Sequence, residues 1–154
     1  DLVAPNIHEA HAAWTSADTS VFDDSTLDDA STRAEAMELA DRCAEKTTHM
    51  ACVTAGSAGV AFSNGDERGW IDAPSVDVVS AVGAGDSFVA GLAARWHHDL
   101  ESGRDVDWVA AVGFGVACAS ASCEVVRAGG VERSRALHIA AEMGVAEVEA
   151  VGAR

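Results

Sequence analysis

Along the chain, short apolar runs trade places with longer stretches in which apolar residues recur every three or four positions. Asp1 to Ala4 reads as a short strand stopped by Pro5, and Asn6 to Trp14 as a strand exit followed by a first helical turn. Met50 to Thr54 is an apolar run ending near Gly56, the pattern of a buried strand in a parallel sheet. Val60–Ser63 and Trp70–Ala73 flank Asn64-Gly65, which predicts a hairpin, and Val76–Val79 reads as a further strand or extended segment. Helical spacing starts at Ser31, a capping residue type, and runs to about Glu45. Ala34, Met37, Ala40 and Ala44 form its apolar face, Leu39 and Cys43 widen it, and Glu38–Arg42 is an i,i+4 ion pair on the other side. Further helices are predicted over Asp86–Trp96, Val106–Cys123 and Glu132–Met143. The second is rich in glycine and alanine, which predicts close packing against a sheet. Thr15–Asp29 is polar and acidic, a surface loop or short helix. Strands alternating with helices define an α/β chain, one domain without a linker or internal repeat.

Charge narrows the partners. The 154 residues hold 25 acidic side chains against 10 basic ones, a net charge of −15, and Lys46 is the sole lysine. Nucleic-acid phosphates and anionic membranes demand a cationic surface, so neither is an expected partner. Such a chain repels itself at low ionic strength, and molar salt screens that repulsion. A salt-adapted, halophilic cytoplasm would account for the acidity; a high-GC genome favouring Ala, Asp, Gly and Val would give the same composition. No apolar run approaches the roughly 20 residues of a membrane span. The start at Asp1 has neither a basic leader region nor a methionine, which points to a cytoplasmic piece of something larger. Cys43, Cys52, Cys118 and Cys123 lie in apolar segments without CxxC spacing, the pattern of buried thiols in a reducing compartment rather than of a zinc site.

The sharpest chemical feature is Val82-Gly83-Ala84-Gly85-Asp86-Ser87, between an extended segment and a helix. Small residues let amide N–H groups approach a ligand, and a helix N-terminus adds partial positive charge, so the turn can cradle an anion. An Asp in that first turn can accept a proton from an attacking hydroxyl. By pattern alone, the segment is equally a glycine turn with Asp86 as an ordinary N-terminal helix residue. It is neither a Walker A loop nor a GxGxxG fingerprint. His8-Glu9-Ala10-His11 has the wrong spacing for a zincin, and His97-His98 suit a helix C-terminus. The Asp23-Asp24 and Asp28-Asp29 pairs read as a solvated face.

Three segments carry a resemblance. Val79 to Gly91, containing Gly83-Ala84-Gly85-Asp86, resembles the C-terminal signature of the PfkB (ribokinase-like) carbohydrate kinases. Asp1 to Ala10 is similar to that family's strand ending in Pro-Asn-x-x-Glu, and Val53 to Gly59 to its Thr/Ser-x-Gly-x-x-Gly turn. The order and spacing of the three match the family's, over nearly the whole chain. The resemblance implies the C-terminal part of a ribokinase-like, mostly parallel sheet flanked by helices, with the N-terminal half and β lid absent. It implies ATP-dependent phosphorylation of a sugar or sugar-phosphate hydroxyl, with Mg2+, and a homodimer for the complete enzyme. Asp86 would be the catalytic base, and Gly83, Ala84 and Gly85 the anion hole. Thr54, Gly56 and Gly59 would lie along ATP, Asn6 and Glu9 would hold magnesium through water, and Val106–Cys123 with Val126–Gly130 would border the adenine. Read without the family, Asn6 is a capping residue, Glu9 an exposed helix residue, and Thr54–Gly59 a plain strand-to-turn transition.

One departure bears on the substrate. Ser80-Ala81-Val82 stands where many relatives have an Asp that helps hold a monovalent cation, which removes that carboxylate. The Ser-x-Val form resembles the phosphosugar branch, and within it 1-phosphofructokinase. A non-catalytic remnant or half of a split protein, and a ribokinase-type or nucleoside kinase, are the alternatives.

Overall fold

The computed structural model describes residues 2–14, 29–47, 50–65 and 67–145. Asp1 and most of the acidic stretch, including Asp23-Asp24 and Asp28, lie outside them. Contacts gather in two compact units, residues 1–73 and 74–154.

The first unit is a four-stranded sheet in the order β1 (Leu2–Val3), β2 (Met50–Thr54), β3 (Gly59–Ser63) and β4 (Arg68–Asp72). Strand β2 runs parallel to β1, with Leu2 opposite Met50, and antiparallel to β3, with Cys52 opposite Phe62. The predicted parallel strand is therefore the hinge of a mixed sheet. The predicted hairpin is present: β3 and β4 pair with Ala61 opposite Trp70, and Asn64 Oδ1 accepts from Glu67 N–H in the turn.

Two helices cover one face, α1 (Ile7–Trp14) and α2 (Asp29–Thr47). The second begins two residues earlier than Ser31, which sits inside the helix. Its buried stripe is Ala36, Leu39, Ala40, Cys43 and Ala44, the i, i+3, i+4, i+7, i+8 series of a core-facing helix. Ala34, expected on that stripe, is exposed, and Met37 is half-buried at its margin. These residues pack with Ile7, Ala10, Ala51, Val53 and Ala61 into one core. The predicted Glu38–Arg42 pair forms on the outer side.

The second unit is helical. Residues 74–83 form an irregular lead without a sheet ladder, although Val79 and Ser80 N–H both donate to Cys123 O, at 2.7 and 3.0 Å. Then come α3 (Ala84–Glu101), α4 (Trp108–Cys123) and α5 (Arg133–Glu142). Helix α4 is capped by Asp107, whose side chain accepts from Ala110 N–H, and is buried along most of its length. Its glycines do admit a close neighbour, and that neighbour is α3. A methyl on Gly115 would sit 2.8 Å from Phe88 O, and one on Gly91 of α3 would sit 2.7 Å from Cys118 Sγ. Burial pushes the thiols up, Cys43 and Cys118 to about 11 and Cys52 to about 12, so all three stay protonated at neutral pH. Near the C-terminal end of α3, Asp99 is 1% exposed and accepts from Arg95 Nε at 3.1 Å and Arg104 Nη2 at 3.1 Å. Among the described residues, no helix is long and apolar enough to cross a membrane.

Candidate active site

Gly83 precedes α3 with φ 85° and ψ 6°, a left-handed conformation that costs any residue with a Cβ. A Cβ there would also meet Gly129 N at 2.5 Å and Gly129 Cα at 3.0 Å, so the turn lies flat against the 128–129 backbone. Gly129 N–H reaches back to Val82 O at 3.4 Å, and Ser87 holds Gly83 O through both its N–H (3.0 Å) and its hydroxyl (2.9 Å). The turn is thus pinned from two sides.

The first N–H groups of a helix have no intrahelical acceptor and normally take one from a capping side chain. Gly83 has no side chain to offer, and no side-chain cap is made. Ala84 N–H is engaged by Ala81 O at 3.2 Å, which leaves Gly85 and Asp86 as the amides on offer at this terminus. The space at Gly85 is open, with no atom within 4 Å of where a Cβ would stand. Asp86 is exposed in the same first turn. Of the three residues expected to form an anion hole, Gly83 shapes the turn, Ala84 closes it, and Gly85 faces outward.

The residues predicted at the other end of ATP all belong to the first unit. Thr54 ends β2, pairs with Asn6 across an isolated parallel bridge, and donates its N–H to Pro5 O at 3.0 Å. Asn6 and Glu9 form a reciprocal capping box at the start of α1: Asn6 N–H donates to Glu9 Oε2 at 2.9 Å, and Glu9 N–H donates to Asn6 Oδ1 at 2.9 Å. The structure brings Asn6, Glu9 and Thr54 together at one corner. Gly56, exposed at φ 57°, has open space around it. Gly59 differs: a Cβ there would stand 2.3 Å from Ile71 O and 2.8 Å from the Trp70 ring, so its smallness serves the β3–β4 packing.

Helix α4, expected to border the adenine, is buried along most of its length. The loop after it, residues 124–130, is what reaches the surface, with Val126 84% exposed. Two features were not anticipated. One is the buried Arg95–Asp99 pair joined by the exposed Arg104; the other is Glu124–Arg135, a two-pronged ion pair at 2.6 and 2.8 Å. The Arg135 hydrogen bond draws the Glu124 carboxyl below its ordinary range. Arg95–Asp99 has the i,i+4 spacing that marks a helical ion pair, a signal the sequence offered; Arg104 and the Glu124–Arg135 pair are reached across loops and have none.

An α/β chain with a glycine turn opening an uncapped helix presents fixed backbone donors of the kind that can take an anion. The profile of the pfkB family carbohydrate kinases matches residues 1–134, and the chain belongs to that family. Among solved structures, it is similar to a variant of phosphofructokinase-2 from Escherichia coli, with TM-score 0.67 and 24% identity over 94% of this chain and 41% of that one. It is also similar to ribokinase from Thermotoga maritima, with TM-score 0.65 and 22% identity over 90% of this chain and 41% of that one. The chain thus spans about two fifths of the length of the structures it matches. Comparison with curated proteins finds no match.

Proposed function

We propose that this chain is the C-terminal part of a PfkB-type kinase domain that transfers the γ-phosphoryl group of ATP to a sugar or sugar-phosphate hydroxyl. The observation that carries this reading is the uncapped N-terminus of α3, where Gly85 and Asp86 offer amides beside the Asp86 carboxylate. In the proposed reaction Asp86 takes the proton of the acceptor hydroxyl, whose oxygen bonds to the γ-phosphorus. The bond from that phosphorus to the β–γ bridging oxygen breaks, and ADP leaves. Positive partial charge at the helix terminus stabilises the oxygens on which charge gathers. Gly83 sets the turn, and Thr54 and Gly56 line the nucleotide. Gly59 contributes by holding the hairpin beneath them.

Magnesium, when bound, neutralises phosphate charge in such transfers. Among the described residues, no group of three or more His, Cys, Asp or Glu is placed to hold a metal directly. Asn6 and Glu9 fit a contact through water, because the capping box uses only one of the two Glu9 oxygens.

Ser80-Ala81-Val82 favours a phosphosugar acceptor, with fructose 1-phosphate first, as in 1-phosphofructokinase. One solved relative is phosphofructokinase-2 of E. coli in complex with fructose-6-phosphate, and another is a ribokinase, so fructose 6-phosphate and ribose are the controls. Steady-state turnover of the intact protein on the three sugars tests the acceptor. Asp86→Asn is expected to lower turnover at least about 10²-fold; near-normal turnover would falsify the role of Asp86.

A further inference from the structure

The loop at residues 124–130 supplies the backbone on which the Gly83 turn rests, through Ala128–Gly129 against Gly83 and Gly129 N–H to Val82 O. Its first residue, Glu124, is the C-cap of α4, and its carboxylate takes two hydrogen bonds from Arg135 in the first turn of α5. The placement runs against both helix dipoles. A carboxylate is disfavoured at a helix C-terminus and a guanidinium in a first turn. Neither residue serves its own helix in this position. What the pair does achieve is to tie the start of the loop to α5, with the bidentate geometry that fixes orientation as well as distance.

We propose that Glu124–Arg135 is a positioning pair for the phosphate turn, holding the 124–130 loop against Gly83 so that the Gly85 and Asp86 amides keep one geometry. Its consequence for ATP rests on the kinase reading; its consequence for the loop does not. Breaking the pair frees the loop, and the first groups to register it are those bonded across the seam: Gly129, Val79 and Ser80 N–H.

Amide exchange of the intact protein without ligand reads the loop directly. Arg135→Ala is expected to speed exchange at Gly129, Val79 and Ser80 by about tenfold while leaving the sheet of the first unit unchanged. The same variant should raise KM for ATP several-fold with kcat little altered. Arg135→Lys, which keeps the charge and loses the fork, should fall between. The decisive variant is the exchange Glu124→Arg with Arg135→Glu. It restores the link and places both charges in favour of their helices, so it should recover protection and most of the ATP affinity. Recovery is expected to be incomplete because Asp77 and Glu142 lie in the field of position 135. Unchanged exchange at the three amides in Arg135→Ala overturns the proposal. So does a double variant that is more heat-stable than the parent yet as weak for ATP as Arg135→Ala. Loosened amides with an unaltered KM remove the link to ATP, whereas failure of the kinase reading itself shows as normal turnover in Asp86→Asn.

Discussion

Two helix N-termini in this protein solve the same problem in opposite ways. At α1, Asn6 and Glu9 close the terminus with their own side chains, and the preceding Pro5 O accepts from Thr54 N–H. At α3, Gly83 closes nothing, and the turn is held instead from behind by Ser87 and the 128–129 backbone. A terminus satisfied by its own residues needs no ligand to close it. At α3 the turn is rigid while the Gly85 and Asp86 amides are left without a side-chain cap, and that asymmetry separates the two motifs more clearly than their composition does.

The contrast can be broken at its strongest point first. Gly83→Ala forces a Cβ into a left-handed conformation and into the Gly129 backbone, at an expected cost of about 2–4 kcal/mol in denaturant unfolding. Gly85→Ala meets open space, so stability should hold while ATP binding weakens. Equal destabilisation by the two substitutions would remove the distinction between a turn-shaping glycine and one that faces open space.

Next in size is an alkaline effect that compares the buried thiols. Cys52 is raised in the folded state, so its contribution to stability is complete below the unfolded thiol value of about 8.5 and is lost as pH rises towards the folded value of about 12. Raising pH to 10 should cost about 2 kcal/mol through Cys52 alone. Cys52→Ala should flatten that slope more than Cys123→Ala, since Cys123 is only half-buried. The check is unfolding free energy against pH for the three proteins.

At the α1 end, Asn6→Ala removes the cap and should cost about 1 kcal/mol, whereas Glu9→Gln keeps the capping box and should cost little stability. Thermal unfolding distinguishes these, and a large loss in Glu9→Gln would mean that the carboxylate charge, not the hydrogen bond, is what α1 needs. The smallest effect per residue is electrostatic. With a net charge of −15, stability should rise with potassium chloride towards molar concentration as surface repulsion is screened. A maximum at low salt would dispose of the halophilic interpretation.

Much of this was legible in the sequence because it depends on neighbours along the chain. The periods of β2, of the hairpin and of α3 to α5, the Gly83–Asp86 turn, and even Asn6 as a cap are local patterns with local causes. Ala34 was misplaced because the buried stripe centres on Ala36, Leu39, Ala40 and Cys43, and two residues before Ala36 the helix has turned by about half a turn to the outer side. What tertiary structure alone decided concerns residues far apart in sequence. Gly59 is required by Trp70 and Ile71, and Gly83 by Gly129. Glu124 and Arg135 follow the same rule, since a charge pair across a loop exists only once the loop has a shape. Sequence by itself determined which elements form and which residue types could do phosphate chemistry, because propensity and spacing act within a few residues. Which glycine faces open space and which faces a ring was left to packing, because steric exclusion between distant segments has no period to read.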